Sequence, residues 1–236
     1  MPATPFKTIG VLGGMGPQAT MDFERRVHCV SQRLIPQQFG AGYPTMVVHY
    51  CRHPLIVLGD DGAPRIPFEP DPRLLEAARR IGAISDFLVI PCNAAHKVRE
   101  HVERAAGRSV LNMIDLAIDE VKRRGWKTTG VLGMGDPLVY TQPMSTLGIR
   151  FETIGDPLRG QLNAAIFKVM EGAETDEHRA TARRGVATLR ERGVDGVVLG
   201  CTEIPFLVGA ESESGAFVNP IQLLADAAVR RAIAAV

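Results

Sequence analysis

The sequence predicts an α/β protein of two similar lobes, each built on a parallel sheet with helices on both faces. Three observations carry that expectation. Short apolar runs alternate with helical periodicity along the chain, the pattern of parallel strands buried on both sides. The string Gly10-Val11-Leu12-Gly13 recurs letter for letter as Gly130-Val131-Leu132-Gly133, and each copy runs through a glycine turn to a proline, Pro17 or Pro137. Twice a cysteine stands where a buried strand stops, at Cys92 after Phe87 to Ile90 and at Cys201 after Gly196 to Leu199. A glycine-turn strand followed by a cysteine-turn strand therefore occurs twice, which reads as an internal duplication. The first lobe is placed at residues 1–110 with about 213–236, and the second at 111–212.

Taken in order, Thr8 to Leu12 reads as a short buried strand. Gly13-Gly14-Met15-Gly16 forms a turn, and Pro17 suits the first position of a helix that runs to Leu34. Thr45 to Tyr50 is the second strand. Cys51 to Pro70 is a long Gly- and Pro-rich loop, the kind that is functional or mobile and that could close over a site. Asp71 caps a helix starting at Pro72 and reaching Ile84, with apolar residues at Leu74, Leu75, Ala78 and Ile81. Strand Phe87 to Ile90 follows, then one helix from Asn93 to Ala106, a short extended piece at Ser109 to Leu111, and a helix from Leu116 to Arg124 that stops at Gly125. The second half repeats the alternation. Strands fall at Thr129 to Leu132, Ile149 to Thr153, near Val197 and near Phe217, with helices at Leu158 to Met170, Asp176 to Arg192 and from Ile221 onward.

Composition excludes several classes. The 236 residues suffice for two α/β units, and 45% hydrophobic with 22% charged residues is ordinary for a globular chain. A formal net charge of +1 gives no reason to expect nucleic acid or an anionic membrane as partner. Arginine pairs such as Arg25-Arg26 and Arg123-Arg124 recur on helices and read as solvated faces or subunit contacts. No apolar run reaches the ~18 residues of a membrane span. Met1 to Lys7 lacks the basic and apolar regions of a signal peptide, so a cytoplasmic location is expected.

The four cysteines, Cys29, Cys51, Cys92 and Cys201, form no Cys-x-x-Cys pair and fit no zinc spacing. Cys29 reads as a small buried hydrophobe on a helix, and Cys51 stays undecided. Cys92 and Cys201 each stand at a strand end, the edge where α/β proteins bind ligands. Each is expected to open a helix, whose N-terminal N–H groups favour a thiolate and a carboxylate. Two thiols in matched positions suit inversion of a carbon centre by proton transfer, with no cofactor. One thiolate removes the proton, and a thiol on the opposite face delivers another. The carbanion then needs N–H donors at its carboxylate.

These motifs resemble the aspartate/glutamate racemase family of pyridoxal-independent amino-acid racemases. The residues that carry the resemblance are Ile9 to Pro17, Pro91-Cys92-Asn93-Ala94-Ala95-His96, Gly200-Cys201-Thr202-Glu203 and Asp71-Pro72-Arg73. It covers most of the chain, and the combination is specific where any one motif is weak. The resemblance implies two α/β lobes with the active site between them, a homodimer, and a small-molecule substrate that is an amino acid. It implies Cys92 and Cys201 as the acid/base thiols. Asn93 and Thr202, with backbone of the Met15-Gly16 turn, would hold the α-carboxylate and amino group. Glu203 would accept from the substrate ammonium or tune Cys201. This chain departs from the family pattern in places. Ala94 stands where a threonine is usual, and Val57 where aspartate racemases place an arginine, with Arg52 near enough to substitute. Glu171 stands where they place a lysine, with Lys168 one turn earlier, and the Gly133–Asp136 turn lacks threonines. These changes preserve the racemase chemistry but argue against aspartate itself. Glu171 would favour a polar or cationic substrate side chain.

Other readings fit single features. A decarboxylase or cis–trans isomerase on the same fold needs one cysteine. A non-catalytic amino-acid-binding homologue would keep the fold without turnover. Cys92 with His96 has the i, i+4 spacing of a thiolate–imidazolium pair, although a histidine there more often serves the backbone. The Gly10, Gly13, Gly16 spacing differs from a dinucleotide turn, and the second strand ends in Val48-His49-Tyr50 instead of an acidic residue. Asp60-Asp61 reads as a solvated turn with too few neighbours to ligate a metal.

Overall fold

The computed structural model describes residues 6–37, 39, 41–59 and 68–234, so Asp60-Asp61 lies outside the described residues. The chain divides into two compact units, Met1–Met113 with Ile221–Val236, and Ile114–Pro220.

In the first unit β1 (Ile9–Gly13) lies between β2 (Met46–Tyr50) and β3 (Phe87–Val89), all parallel. Every residue of β1 is buried, as expected of a central parallel strand covered on both faces. The extended piece after Gly107 adds a one-residue bridge at the edge. Leu88 N donates to Ser109 O and Leu111 N to Leu88 O, both at 2.9 Å. In the second unit β4 (Thr128–Leu132) lies between β5 (Arg150–Thr153) and β6 (Gly196–Leu199), with β7 (Phe217–Val218) beyond β6. All four are parallel, so both units are α/β and share one strand order. The repeated string occupies the central strand of each.

The helices follow from their ends and their apolar faces. Helix α1 (Pro17–Leu34) begins on its proline and buries Ala19, Thr20, Phe23, Val27 and Val30. Two expectations fail on it. Cys29 is exposed, because it falls outside the stripe defined by Phe23, Val27 and Val30. Arg26 is buried rather than solvated: its Nε donates to Asp22 at 2.7 Å and its Nη1 to Gln222 Oε1 at 2.6 Å. Gln222 belongs to α9 (Pro220–Ile233), which packs within the first unit, with Lys7 N donating to Ala232 O at 2.9 Å.

Helix α2 (Pro72–Gly82) is capped by Asp71, whose Oδ1 accepts from Arg73 N at 2.8 Å. The loop that precedes it closes on itself at both ends: Val57 N donates to Glu69 O at 2.8 Å and Asp71 N to Leu55 O at 3.0 Å. The hydrogen bonds from the Arg73 side chain lead in drawing the Asp71 carboxyl down to about 2 from its usual 3.8. A depressed carboxylate stabilises the fold above its unfolded value and loses that contribution as pH falls through the folded one. Asp71→Ala is therefore expected to cost about 1 kcal/mol at pH 7 and clearly less near pH 2, where the carboxyl is half protonated. Urea unfolding of both proteins at the two pH values checks this.

The single helix expected from Asn93 to Ala106 is two segments. A 3₁₀ turn covers Ala94–Val98, and α3 (Arg99–Ala106) begins only after Val98 leaves helical geometry at φ −116°, ψ 15°. The apolar spacing of Ala95, Val98 and Val102 is the same for both, so periodicity does not separate them. Helices α4 (Met113–Arg124), α6 (Leu158–Met170) and α7 (Asp176–Glu191) fall where they were read, and α5 (Leu138–Thr146) is a helix that the sequence reading did not place. Helix α8 (Ile204–Val208) has only five residues.

Candidate active site

Register places the two cysteines at equivalent positions. In β3, Leu88 pairs with Gly10; in β6, Val197 pairs with Gly130. Gly10 and Gly130 open the two copies of the repeat, and each cysteine lies four residues beyond its partner, 88 to 92 and 197 to 201. Each keeps the same sliver of surface, 8% exposed.

In the first unit Pro91 has no N–H, so the β3 ladder stops and the chain turns. Cys92 N donates to Ile90 O at 2.8 Å, and His96 Nε2 lies 3.3 Å from the same carbonyl. Burial pushes the His96 imidazole down to about 4, so it is neutral at pH 7 and cannot be the cation of a thiolate–imidazolium pair. Its observed partner is the backbone. Cys92 packs with Leu12, Cys51, Leu88, Ile90 and Ala95, and Met15 rests on the same cluster. Asn93 is buried and Ala94 exposed.

The glycine turn beside this cluster is built by close backbone approach. Gly14 has φ +86°, and its N–H donates to Thr20 Oγ1 at 2.8 Å. Cys51 N donates to Gly13 O at 2.8 Å, and Gly16 is buried. Burial pushes the Cys51 thiol up to about 11, which makes it a neutral core residue. Arg52 is exposed and lies over the Tyr50 ring at 5.1 Å. Val57 is tied into the loop closure described above.

In the second unit Gly200 N donates to Leu132 O at 2.6 Å and to Val198 O at 3.0 Å. Glu203 is 1% exposed. Its Oε2 accepts from Cys201 Sγ at 3.1 Å and from Thr202 Oγ1 at 2.9 Å, while its buried Oε1 has no partner among the described residues. Burial raises the Glu203 carboxyl, opposed by those two donors. Tyr140 of α5 is fully buried, and its phenol is pushed well above the ordinary range, first by burial and then by the charge of Cys201. Sequence reading missed Tyr140. Its signal is positional: it follows Gly133 by seven residues, as Thr20 follows Gly13, 133 to 140 and 13 to 20. Glu171 is exposed and ion-paired to Lys168 at 2.6 Å.

Neither cysteine opens a long α-helix, contrary to expectation. Cys92 leads into the 3₁₀ turn and Cys201 into the five-residue α8. The macrodipole of a short segment is small, so local partners set each thiol's surroundings. Among the described residues no three His, Cys, Asp or Glu side chains form a metal-binding group. No helix among them is long and apolar enough to cross a membrane.

A family model for Asp/Glu/hydantoin racemase matches residues 12–228. The chain belongs to the Asp/Glu/hydantoin racemase family. Within this family it is similar to the broad specificity amino-acid racemase RacX of Bacillus subtilis (strain 168), 29% identical over 126 residues. That match covers 53% of each chain, so the protein aligns with about half the length of this curated relative. The Picrophilus torridus aspartate racemase shares the fold with a TM-score of 0.77 and 23% identity, over 96% of this chain and 94% of that one. PH1733, an aspartate racemase homologue from Pyrococcus horikoshii OT3, gives a TM-score of 0.71 at 20% identity, over 96% of this chain and 99% of that one. As a member of the racemase family, the chain carries both cysteine turns and the first glycine turn within the matched span.

Proposed function

We propose that the protein is a pyridoxal-independent amino-acid racemase whose acid and base are Cys92 and Cys201. The observation that carries this reading is the equivalence of the two thiols in strand register and exposure. A reaction that runs both ways through one planar intermediate needs two groups of one kind. One thiolate takes the α-proton: an S–H bond forms, the C–H bond breaks, and the electron pair delocalises into the substrate carboxylate. The other thiol delivers its proton to the opposite face of that carbon, and the roles exchange in the reverse direction.

Asn93 and Thr202 follow the two cysteines directly, and with backbone of the Met15-Gly16 turn they would hold the α-carboxylate and amino group. Membership of the family, and the resemblance of the chain to a broad-specificity racemase, support an amino acid as substrate. An acidic side chain fits this chain poorly. Val57 offers no charge, Arg52 is engaged over Tyr50, and Lys168 is paired to Glu171. We therefore place the substrate among neutral or cationic amino acids. A homodimer, a cytoplasmic location and freedom from any cofactor are part of the same reading and rest on the family resemblance.

The test is a panel of single-enantiomer amino acids incubated with the purified protein without pyridoxal phosphate and followed by chiral chromatography. Inversion of at least one neutral or cationic amino acid is expected. Inversion confined to aspartate would overturn the substrate assignment. Binding without inversion of any amino acid would overturn the racemase reading.

A further inference from the structure

Beyond the strand that leads to its cysteine, each sheet ends on an asparagine. In the first unit Val110 bridges to Leu88 of β3, and Asn112 stands two residues further on. In the second unit Phe217 of β7 pairs with Val197 of β6, and Asn219 stands two residues further on. Leu88 and Val197 are the residues that pair with Gly10 and Gly130, so register makes the two asparagines equivalent. Each directly precedes a helix, α4 from Met113 and α9 from Pro220. At that position an asparagine oxygen ordinarily caps the helix by accepting a backbone N–H.

Asn219 does not use its oxygen in that way. The residue is 7% exposed, and its Oδ1 has no hydrogen-bond partner among the described residues. Glu213 sets the orientation of the amide: Nδ2 donates to Glu213 Oε1 at 3.4 Å, and a carboxylate oxygen only accepts. The orphaned atom is therefore an acceptor. A buried acceptor without a donor is costly, and most such atoms in folded proteins are paired. The place of Asn219 in the fold points to the donor. Val218 pairs with Val198, so Asn219 lies one step past the last paired residue of β7, at the carboxyl edge where β6 runs out toward Cys201. Parallel α/β sheets bind their ligands at that edge.

We propose that Asn219 Oδ1 is a substrate-binding acceptor that takes one N–H of the α-ammonium. The role rests on the racemase reading for the identity of the ligand and deepens it. An α-ammonium carries three N–H donors, whereas the α-carboxylate only accepts and cannot pair with Oδ1. Asn219 thus orients the amino group, and a carboxylic acid that lacks this group gains nothing from it.

The experiment compares the wild-type protein with Asn219→Leu, which keeps the branched shape and removes the acceptor. Calorimetric titration measures the affinity for L-methionine and L-lysine, and for the same acids without the α-amino group, 4-(methylthio)butanoate and 6-aminohexanoate. Racemisation adds no heat, because enantiomers have equal enthalpy. In Asn219→Leu the affinity for the amino acid that binds is expected to fall about tenfold or more, as for loss of a hydrogen bond to a charged group. The affinity for its desamino analogue is expected to stay unchanged. The urea midpoint is expected to be unchanged or higher, because a buried unpaired oxygen is replaced by an apolar group of similar shape. An unmoved ratio of the two affinities would overturn the proposal, and so would an equal loss for both ligands, the mark of a purely structural role. A lowered urea midpoint or a failure to fold would also overturn it, since Oδ1 would then be serving the fold. Absence of binding by either amino acid to the wild-type protein would overturn the role together with the substrate class. Inversion of an amino acid with an unmoved ratio sinks the role of Asn219 and leaves the racemase reading standing. A ratio that falls in a protein that inverts nothing does the reverse.

Discussion

Cys92→Ser and Cys201→Ser are each expected to lower the rate of inversion by about 10³-fold or more, with little change in stability. General acid–base groups contribute roughly 10²–10⁴ in rate, and a serine hydroxyl neither ionises near neutrality nor matches a thiol as acid. Both side chains are almost covered and sit in turns closed by backbone hydrogen bonds, Cys92 N to Ile90 O and Gly200 N to Leu132 O. Replacing sulfur by oxygen leaves those bonds in place. Activity and the urea midpoint, measured on the same samples, separate a lost proton carrier from a damaged fold. Cys51→Ser is the contrasting variant, since burial holds that thiol near 11 and out of the chemistry. It is expected to keep most of the activity.

The largest expected effect on stability is at Gly14. A Cβ there would lie 2.6 Å from both Cys51 N and Cys51 O, and 2.9 Å from Tyr50 C. These are backbone atoms of β2 and its exit, so no rotamer change relieves the contact. The residue also has φ +86°, a conformation that L side chains rarely adopt. Gly14→Ala is expected to destabilise the fold by about 3 kcal/mol, the sum of backbone strain and overpacking. Gly107→Ala isolates the strain alone, because Gly107 has φ +61° and nothing within 4 Å of its Cβ position. That change is expected to cost about 1 kcal/mol. Equal urea midpoints for the two variants would show that the close approach of Gly14 to Cys51 is not what holds the turn.

The alternation of apolar runs with helical periodicity was enough to read both parallel sheets, because buried parallel strands carry a near-continuous apolar signature. The repeated Gly-Val-Leu-Gly string marked both central strands, and Pro17 and Asp71 marked two helix starts through local chemistry. Three features were not legible. The break at Val98 leaves the apolar spacing of its neighbours intact, so one helix and a 3₁₀ turn followed by a helix read alike. The burial of Arg26 depends on Asp22 one turn away and on Gln222, which is distant in sequence. The electrostatic influence of Cys201 on Tyr140 depends on where tertiary packing puts α5, and only the offset of Tyr140 from the second glycine turn hints at it. The candidate thiols were visible because the duplication displays them twice.

The central claim is that two thiols serve opposite faces of one carbon. Its most direct test is α-proton exchange in deuterated water, followed by NMR from each pure enantiomer of a substrate identified by the panel. The wild-type protein is expected to exchange and invert both enantiomers. Cys92→Ser and Cys201→Ser are expected to invert neither, and any exchange that persists is expected from one enantiomer in the first variant and from the other enantiomer in the second. Inversion that survives in either variant, or residual exchange from the same enantiomer in both, would contradict the account.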